Sequence, residues 1–256
     1  MGDFDLVIAA DVQLMHQVSR SDGSVTNVTG AYLGYQVNPD HAALVDEVIG
    51  WYDAVAAGLE RTLAPSAADE FALTRWAAHG YQTDPGSLGD TGSWTQLNER
   101  DLSYVEQPVL PVGFTFRTAD EAGPEAAVQA HVDAWAPSTY TAEGYEGVRR
   151  TATYRGDLHV LVQAPDGIMA ASTIIWLDEA NKTAEFEPVG THPGYRRRGL
   201  GTAMLLHGMQ LAREAGATHM TVACLGAPGH PQARGLYYGV GFRPLTRDAP
   251  LIKSVV

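Results

Sequence analysis

Residues 191–204, THPGYRRRGLGTAM, set three arginines and two glycines against the start of an apolar helical pattern. A helix start leaves four backbone N–H groups without intrahelical partners and carries partial positive charge, and both properties suit a phosphate. Gly199 and Gly201 would let the main chain approach a bulky anion. Arg196, Arg197 and Arg198 would add charge-assisted donors at the rim. The spacing Arg-x-x-Gly-x-Gly can therefore hold a phosphate, although arginine–glycine clusters also occur in plain surface turns. Two other phosphate sites are excluded. There is no Gly-Lys-Ser/Thr for a nucleoside triphosphate, and no Gly-x-Gly-x-x-Gly behind a strand for a dinucleotide.

Glu185 and Glu187 stand two apart in AEFEPV, so an unbroken strand would point both to one face with Phe186 opposite. Either could act as a base, directly or through water, or merely line a polar cleft or pair with an arginine. Tyr237 in GLYYGVGF could donate a phenolic proton or pack, while Tyr238 reads as packing. Cys224 falls on a central strand and reads as buried filler. His207 falls on the apolar face of a helix and reads as a core-edge histidine. No histidine or cysteine spacing resembles a metal site.

The elements that would position these residues follow from periodicity. VGFTFR (112–117) alternates like a strand, and TADEAGPEAAVQAHVDAWA reads as one helix. TAEGYEGVRRTATYR reads as a shorter helix, and DLHVLVQ and IMAASTIIWLDE as strands joined by a Pro-Asp-Gly turn. TAEFEPVGT is a strand, 199–215 a helix, HMTVACL a strand, PQARGLYYGV a helix, and FRPLTRDAPLIK extended. The first half rhymes with the later part of this order. DLVIAAD matches DLHVLVQ in type, GAYLGYQVNPDH matches EFEPVGTHPGY, RWAAHGYQ echoes LYYGVGFR, and WTQLNERDLS echoes FRPLTRDAP. Together they suggest a diverged repeat whose phosphate corner has become the acidic AALVDE (42–47). The proline-bearing EQPVLPVG (106–113) is a candidate linker, giving domains of 1–108 and 109–256.

The net charge is −13, with 16 acidic and 4 basic residues in 1–110 against 14 and 13 in 111–256. That balance argues against nucleic-acid binding. A single cysteine, no basic leader and no apolar run of about 18 residues predict a cytoplasmic protein with no membrane contact.

The run EFEPVGTHPGYRRRGLGTAMLLHGMQLAREAGATHMTVACLG with ARGLYYGVGF resembles the acetyl-CoA-binding core of the GCN5-related N-acetyltransferases, or GNAT family. The resemblance covers about 112–250. It implies an α+β GNAT fold with a mixed, mostly antiparallel sheet flanked by helices, and two repeats of which the first is truncated and degenerate. By this likeness Arg196, Gly199 and Gly201 match the pyrophosphate-binding turn, with Arg197, Arg198, Leu200 and Thr202 supplying amides or rim charge. Val189, Gly190 and Thr191 match the strand that pairs with the pantetheine arm. Glu185 matches a catalytic glutamate, Glu187 is the second candidate base, and Tyr237 matches the acid that protonates the thiolate. His230 stands where relatives often have a cofactor-contacting asparagine. Trp135, Ser138, Tyr140, Trp176 and Asp178 are the expected acceptor rim. The implied activity is direct acyl transfer from acetyl-CoA, or another acyl-CoA, to a primary amine, more readily a small molecule than a protein. No metal is implied, and a homodimer is left open. The alternative is an inactive acyl-CoA-binding regulatory or interaction module.

Overall fold

The computed structural model describes residues 8–18, 25–87, 94–226 and 229–255. The chain divides into two units, the first being Met1–Gln96, Leu225–Gly229 and Thr246–Val256, the second Leu97–Cys224 and His230–Leu245. Neither is contiguous, and the proline-bearing 106–113 lies inside the second.

In the first unit, β1 (Ile8–Val18) and β2 (Val25–Val37) form a long antiparallel hairpin. β1 thus lies directly beside β2. Helix α1 (Val45–Val55) follows a 3-10 run from Pro39 and buries Val45, Val48, Ile49 and Tyr52. The chain then returns as β3 (Glu60–Leu63), parallel to β2 over Gly30–Leu33. Asp69 opens α2 (Glu70–Ala78) by accepting the Ala72 N–H at 2.9 Å, which satisfies one orphan donor of the helix start. Two-residue β4 (Gln82–Thr83) follows. Trp76, Tyr52 and Tyr81 make the aromatic centre of this unit, with ring centroids 4.7 to 6.4 Å apart.

The second unit holds a seven-stranded sheet. β5 (Thr95–Asp101) and β6 (Thr115–Thr118) precede its helices. The helix read as continuous from 118 to 136 is two, α3 (Ala119–Ala122) and α4 (Pro124–Ala134). Thr118 and Glu121 form a reciprocal capping box that starts α3, and Pro124 has no N–H to continue it, so Gly123 leaves the helix at φ 88°. Helix α5 (Ala142–Arg149) is capped by Thr141. β7 (His159–Gln163), β8 (Met169–Asp178) and β9 (Thr183–Thr191) form an antiparallel meander. Helix α6 (Leu200–Glu214) packs on one face, where Phe186 and Ile175 meet Gly208. β10 (His219–Leu225), α7 (Pro231–Gly239) and β11 (Arg243–Arg247) complete the order β11-β5-β10-β9-β8-β7-β6. Among the described residues no helix is long and apolar enough to cross a membrane.

The last strands of the two halves change sheets. β5 lies between β10 and β11, and fully buried Asn98 donates to the Val222 carbonyl at 3.1 Å. β12 (Leu251–Lys253) lies between β3 and β4. Lys253 thereby reaches Asp53 at 2.8 Å, a carboxylate that also takes Arg61 and the Tyr81 hydroxyl at 2.9 Å each. Burial pushes this carboxyl up, but the Lys253 and Tyr81 hydrogen bonds and the two positive charges outweigh it and hold it low. Asp53→Ala strands all three donors at a half-buried site and should cost about 2–4 kcal/mol, read as a lower urea midpoint. An unchanged midpoint would remove Asp53 as the tie between β12 and α1.

Candidate active site

β9 and β10 pair in parallel only at Thr183–Glu185 with His219–Thr221. Beyond Glu185, β9 continues to Thr191 with β8 on one side and no strand on the other. A bulge bends it there: between Thr173↔Val189 and Ile175↔Phe186, Glu187 and Pro188 oppose Ile174 alone. The stretch Val189–Thr191 therefore offers a strand edge that pairs with no strand among the described residues on the side away from β8. Gly190 is required at this edge because Trp135 lies on it; a Cβ would sit 2.2 Å from the indole.

The edge leads to the start of α6. Gly199 caps that helix in the left-handed region at φ 80°, Arg197 takes φ 63°, and the first turn carries no acidic residue. The first backbone bond of the helix is from Ala203 N–H to the Gly199 carbonyl, so the amides of Leu200, Gly201 and Thr202 have no partner among the described residues. Gly201 lies against Leu236 and Thr191, bringing the helix start to the strand end. Arg196 turns inward, donating to the carbonyls of Thr191 at 3.1 Å and Ala134 at 3.4 Å. Arg198 donates to the Gly194 carbonyl and lies over the Tyr195 ring, while the exposed Arg197 side chain makes no hydrogen bond or ion pair with described residues. Exposed His230 adopts φ 44° ahead of α7 and makes no side-chain cap. Bare amides, a close-approach glycine and a free strand edge fit a diphosphate on an amide-bearing arm.

Glu185 pairs across the sheet with Trp176, on the face opposite α6, and the Trp176 indole donates to the Glu187 carbonyl at 2.7 Å. Burial raises the Glu185 carboxyl; burial and then the Glu185 charge raise that of Glu187. Both are thus moved from the ordinary carboxylate range toward that of a neutral-pH base. Tyr237 on α7 is nearly fully buried and makes no hydrogen bond to described residues. Burial, then Cys224 and Glu187, hold its phenol well above the ordinary value, so it keeps its proton. Cys224 takes an amide proton from Asn98 at 3.4 Å, and His207 stacks on Phe116 at 4.0 Å. Among the described residues no group of side chains could hold a metal ion.

The expected acceptor rim resolves into a wall of rings. Trp135 stacks on His131 at 4.5 Å, His131 meets Tyr140 at 4.2 Å, and Tyr145 and Tyr154 carry the arc to Trp176 at 6.3 Å. Ser138 accepts the Tyr140 N–H at 3.1 Å and so fixes the turn. Asp178 is used elsewhere, binding Asn181 at the β8–β9 turn. The sequence reading placed Tyr145 at the end of the suspected 133–145 rim without singling it out, and passed over Tyr154, His159 and Ser172. His159 lies nearly fully buried behind the arc, with Nδ1 3.3 and 3.2 Å from the two tyrosine hydroxyls and Nε2 3.2 Å from Ser172 Oγ. The period-2 register of HVLVQ against MAASTIIW was the only signal that could have found it.

Burial, and then His131, push His159 down to about 4. An unfolded histidine titrates near ~6.5, so stability falls as pH drops from there to about 4, by about 3 kcal/mol over the full window. Urea unfolding across this range should show that slope, and His159→Gln should flatten it; equal slopes in both proteins would contradict a buried neutral imidazole. Burial also lowers His131, which adds a smaller slope of the same sign to both.

Residues 126–242 match the family model "Acetyltransferase (GNAT) family". No curated protein matches the chain. Among solved structures, a GCN5-related N-acetyltransferase from Sphaerobacter thermophilus is similar at 17% identity and TM-score 0.62, covering 96% of this chain and 76% of that one. A tandem GNAT protein from the clavulanic acid biosynthesis pathway gives 17%, 0.62, 97% and 83%. A GCN5-related N-acetyltransferase from Kribbella flavida gives 20%, 0.54, 87% and 81%. At these identities the structures speak for the fold, and the family assignment rests on the matched segment. With its strands parting after Glu185 and bare amides at the head of α6, the chain carries over residues 126–242 a domain of the GNAT acetyltransferase family.

Proposed function

We propose that the second unit transfers the acyl group of acetyl-CoA, or of another acyl-CoA, directly to a primary amine of a small molecule. One observation carries this reading: a free strand edge runs from the unpartnered amides of Leu200–Thr202 back to two raised carboxylates, of which Glu187 acts on the Tyr237 phenol. In it the amides of α6, with Arg197 at the rim, hold the diphosphate. The backbone of Val189–Thr191 aligns the amide arm. Bound there, the thioester supplies the activated acyl carbon.

The remaining work belongs to the chain. Glu187, or Glu185 through water, takes the proton from the incoming ammonium, whose pKa near ~10 otherwise keeps it unreactive. Tyr237 holds a proton for the departing sulfur. The ring wall excludes water and seats the apolar body of the amine, and the acidic first half of the sequence favours a cationic acceptor. The first unit reads as a diverged, truncated GNAT-like unit without catalysis. Asp46 and Glu47 occupy the first turn of its α1, where a diphosphate would be repelled. Trp76 stands four residues before Gly80-Tyr81, as Tyr237 stands before Gly241-Phe242. A cytoplasmic location accords with this activity.

Tyr237→Phe should lower kcat about 10- to 100-fold while leaving the Kd for acetyl-CoA within about 3-fold. Equal losses in both would assign Tyr237 to packing. The acidic limb of the kcat/KM profile should lie above the ordinary carboxylate range. Glu185→Gln removes the charge that raises Glu187 and should move that limb downward. An unmoved limb excludes the pair as the titrating base. Mass spectrometry of a mixed amine library with acetyl-CoA tests the whole reading; saturable binding with no acyl product from any amine would end it.

A further inference from the structure

A cavity of about 860 Å³ lies within the first unit, and none of the residues assigned to transfer lines it. It opens where β2 and β3 part. Their parallel pairing ends at Leu33↔Leu63, after which β2 runs on through Val37 and the other strand turns off at Ala64–Ser66. Gly34–Val37 pair with β1 on one side, and on the other their peptide groups meet no partner among the described residues. The opening is thus built like that between β9 and β10, and its volume suits a small molecule.

Its chemistry is different. No lysine or arginine lines it, and Asp69 is its one charged lining side chain. Asp46 and Glu47 head the helix beyond. Within this lining a diphosphate would meet the Asp69 carboxylate and no cation, and beyond it Asp46 is paired with Arg75 at 2.7 Å. The walls are apolar, with Leu33, Val37, Val45 and Phe71. One polar group is committed in a way that specifies a ligand atom. The Trp76 indole donates to the Tyr35 hydroxyl at 2.9 Å, so that oxygen is already accepting. Its own proton has no acceptor among the described residues, and burial holds the phenol above its ordinary value. Tyr35 therefore presents a fixed donor, which calls for a carbonyl.

We propose that this cleft is a second binding site, for a neutral, elongated ligand with an apolar body and an amide. The ligand lies along Gly34–Val37 as an added strand, with a carbonyl accepting the Tyr35 proton. Peptide-group pairing of this kind gives affinity, and the apolar walls give selection. The absence of cations from the lining excludes acidic ligands.

The test is a titration of the full ¹⁵N-labelled chain with N-acetyl-leucine N-methylamide and with N-acetyl-leucine, which differ in one negative charge. The neutral probe should give saturable shifts at the amides of Gly34 and Gln36 and at the Trp76 indole, with the anion at least about five-fold weaker. Ala68→Trp, which fills the rim from an exposed position, should abolish the shifts. Tyr35→Phe should weaken binding about five-fold by deleting the donor. Three results would overturn the proposal: no saturable shift at these positions up to about 20 mM, equal binding of the anion, or unaltered binding by Ala68→Trp. Acetyl transfer is not read in this experiment, so failure here leaves the proposed activity standing.

Discussion

Everything in the second unit depends on a ladder that stops. Three residue pairs join β9 to β10, and then the strands separate. Unpaired backbone inside a fold is costly unless a partner arrives, so a sheet that opens in its middle suits an extended guest. The bulge at Glu187-Pro188 supplies the bend, and it does more than bend. In an unbroken strand Glu185 and Glu187 would stand equivalent on one face. The extra residue instead offsets Glu187 and lets the Trp176 indole grip its carbonyl. This irregularity in the β8–β9 ladder follows directly on the end of the β9–β10 pairing and differentiates the two carboxylates.

The electrostatics follow from the same opening. Burial raises both acids, the Glu185 charge raises Glu187 further, and the Tyr237 phenol is raised by burial, then by Cys224 and Glu187. The outcome is two raised carboxylates beside a phenol that keeps its proton, the asymmetry that the proposed transfer requires. In the proposed reaction the aromatic arc closes the acceptor side. Behind it, the neutral His159 satisfies two tyrosines and Ser172 at once, so the wall is fixed by hydrogen bonds as well as by packing.

Local signals carried the sequence reading far. The glycine-bearing head of α6 was legible because caps and left-handed residues are specified within a few positions of one another. The meander β7–β9 was legible from its alternation and its Pro-Asp-Gly turn. The break at Gly123 was also written locally, yet helical periodicity across 118–136 concealed it. What was not legible is what depends on register between distant strands. His159 and Ser172 meet only once β7 is aligned on β8, and no spacing along the chain announces them. The placement of β5 and β12 lies further out of reach, since each resembles the strand it replaces and alternation cannot say which sheet a strand joins. The proline-bearing 106–113 looked like a boundary for a local reason, while the compact units are set by long-range pairing.

The two clefts separate the contributions of backbone and side chain. In each, a parallel pair ends early and one strand runs on, so the backbone makes an opening with free peptide groups. What enters is then decided by few residues. At α6 the helix head is bare of acids, with arginines before it, and a buried tyrosine keeps its proton opposite the carboxylates. At α1 the head carries Asp46 and Glu47, and Trp76 stands in the tyrosine's place with its N–H given to Tyr35. That exchange converts a group able to release a proton into one that directs a neighbour's. On the two proposals above, divergence of such a repeat need not close the cleft; a change of charge and of one ring would be sufficient to replace an anion-bearing thioester by a neutral guest.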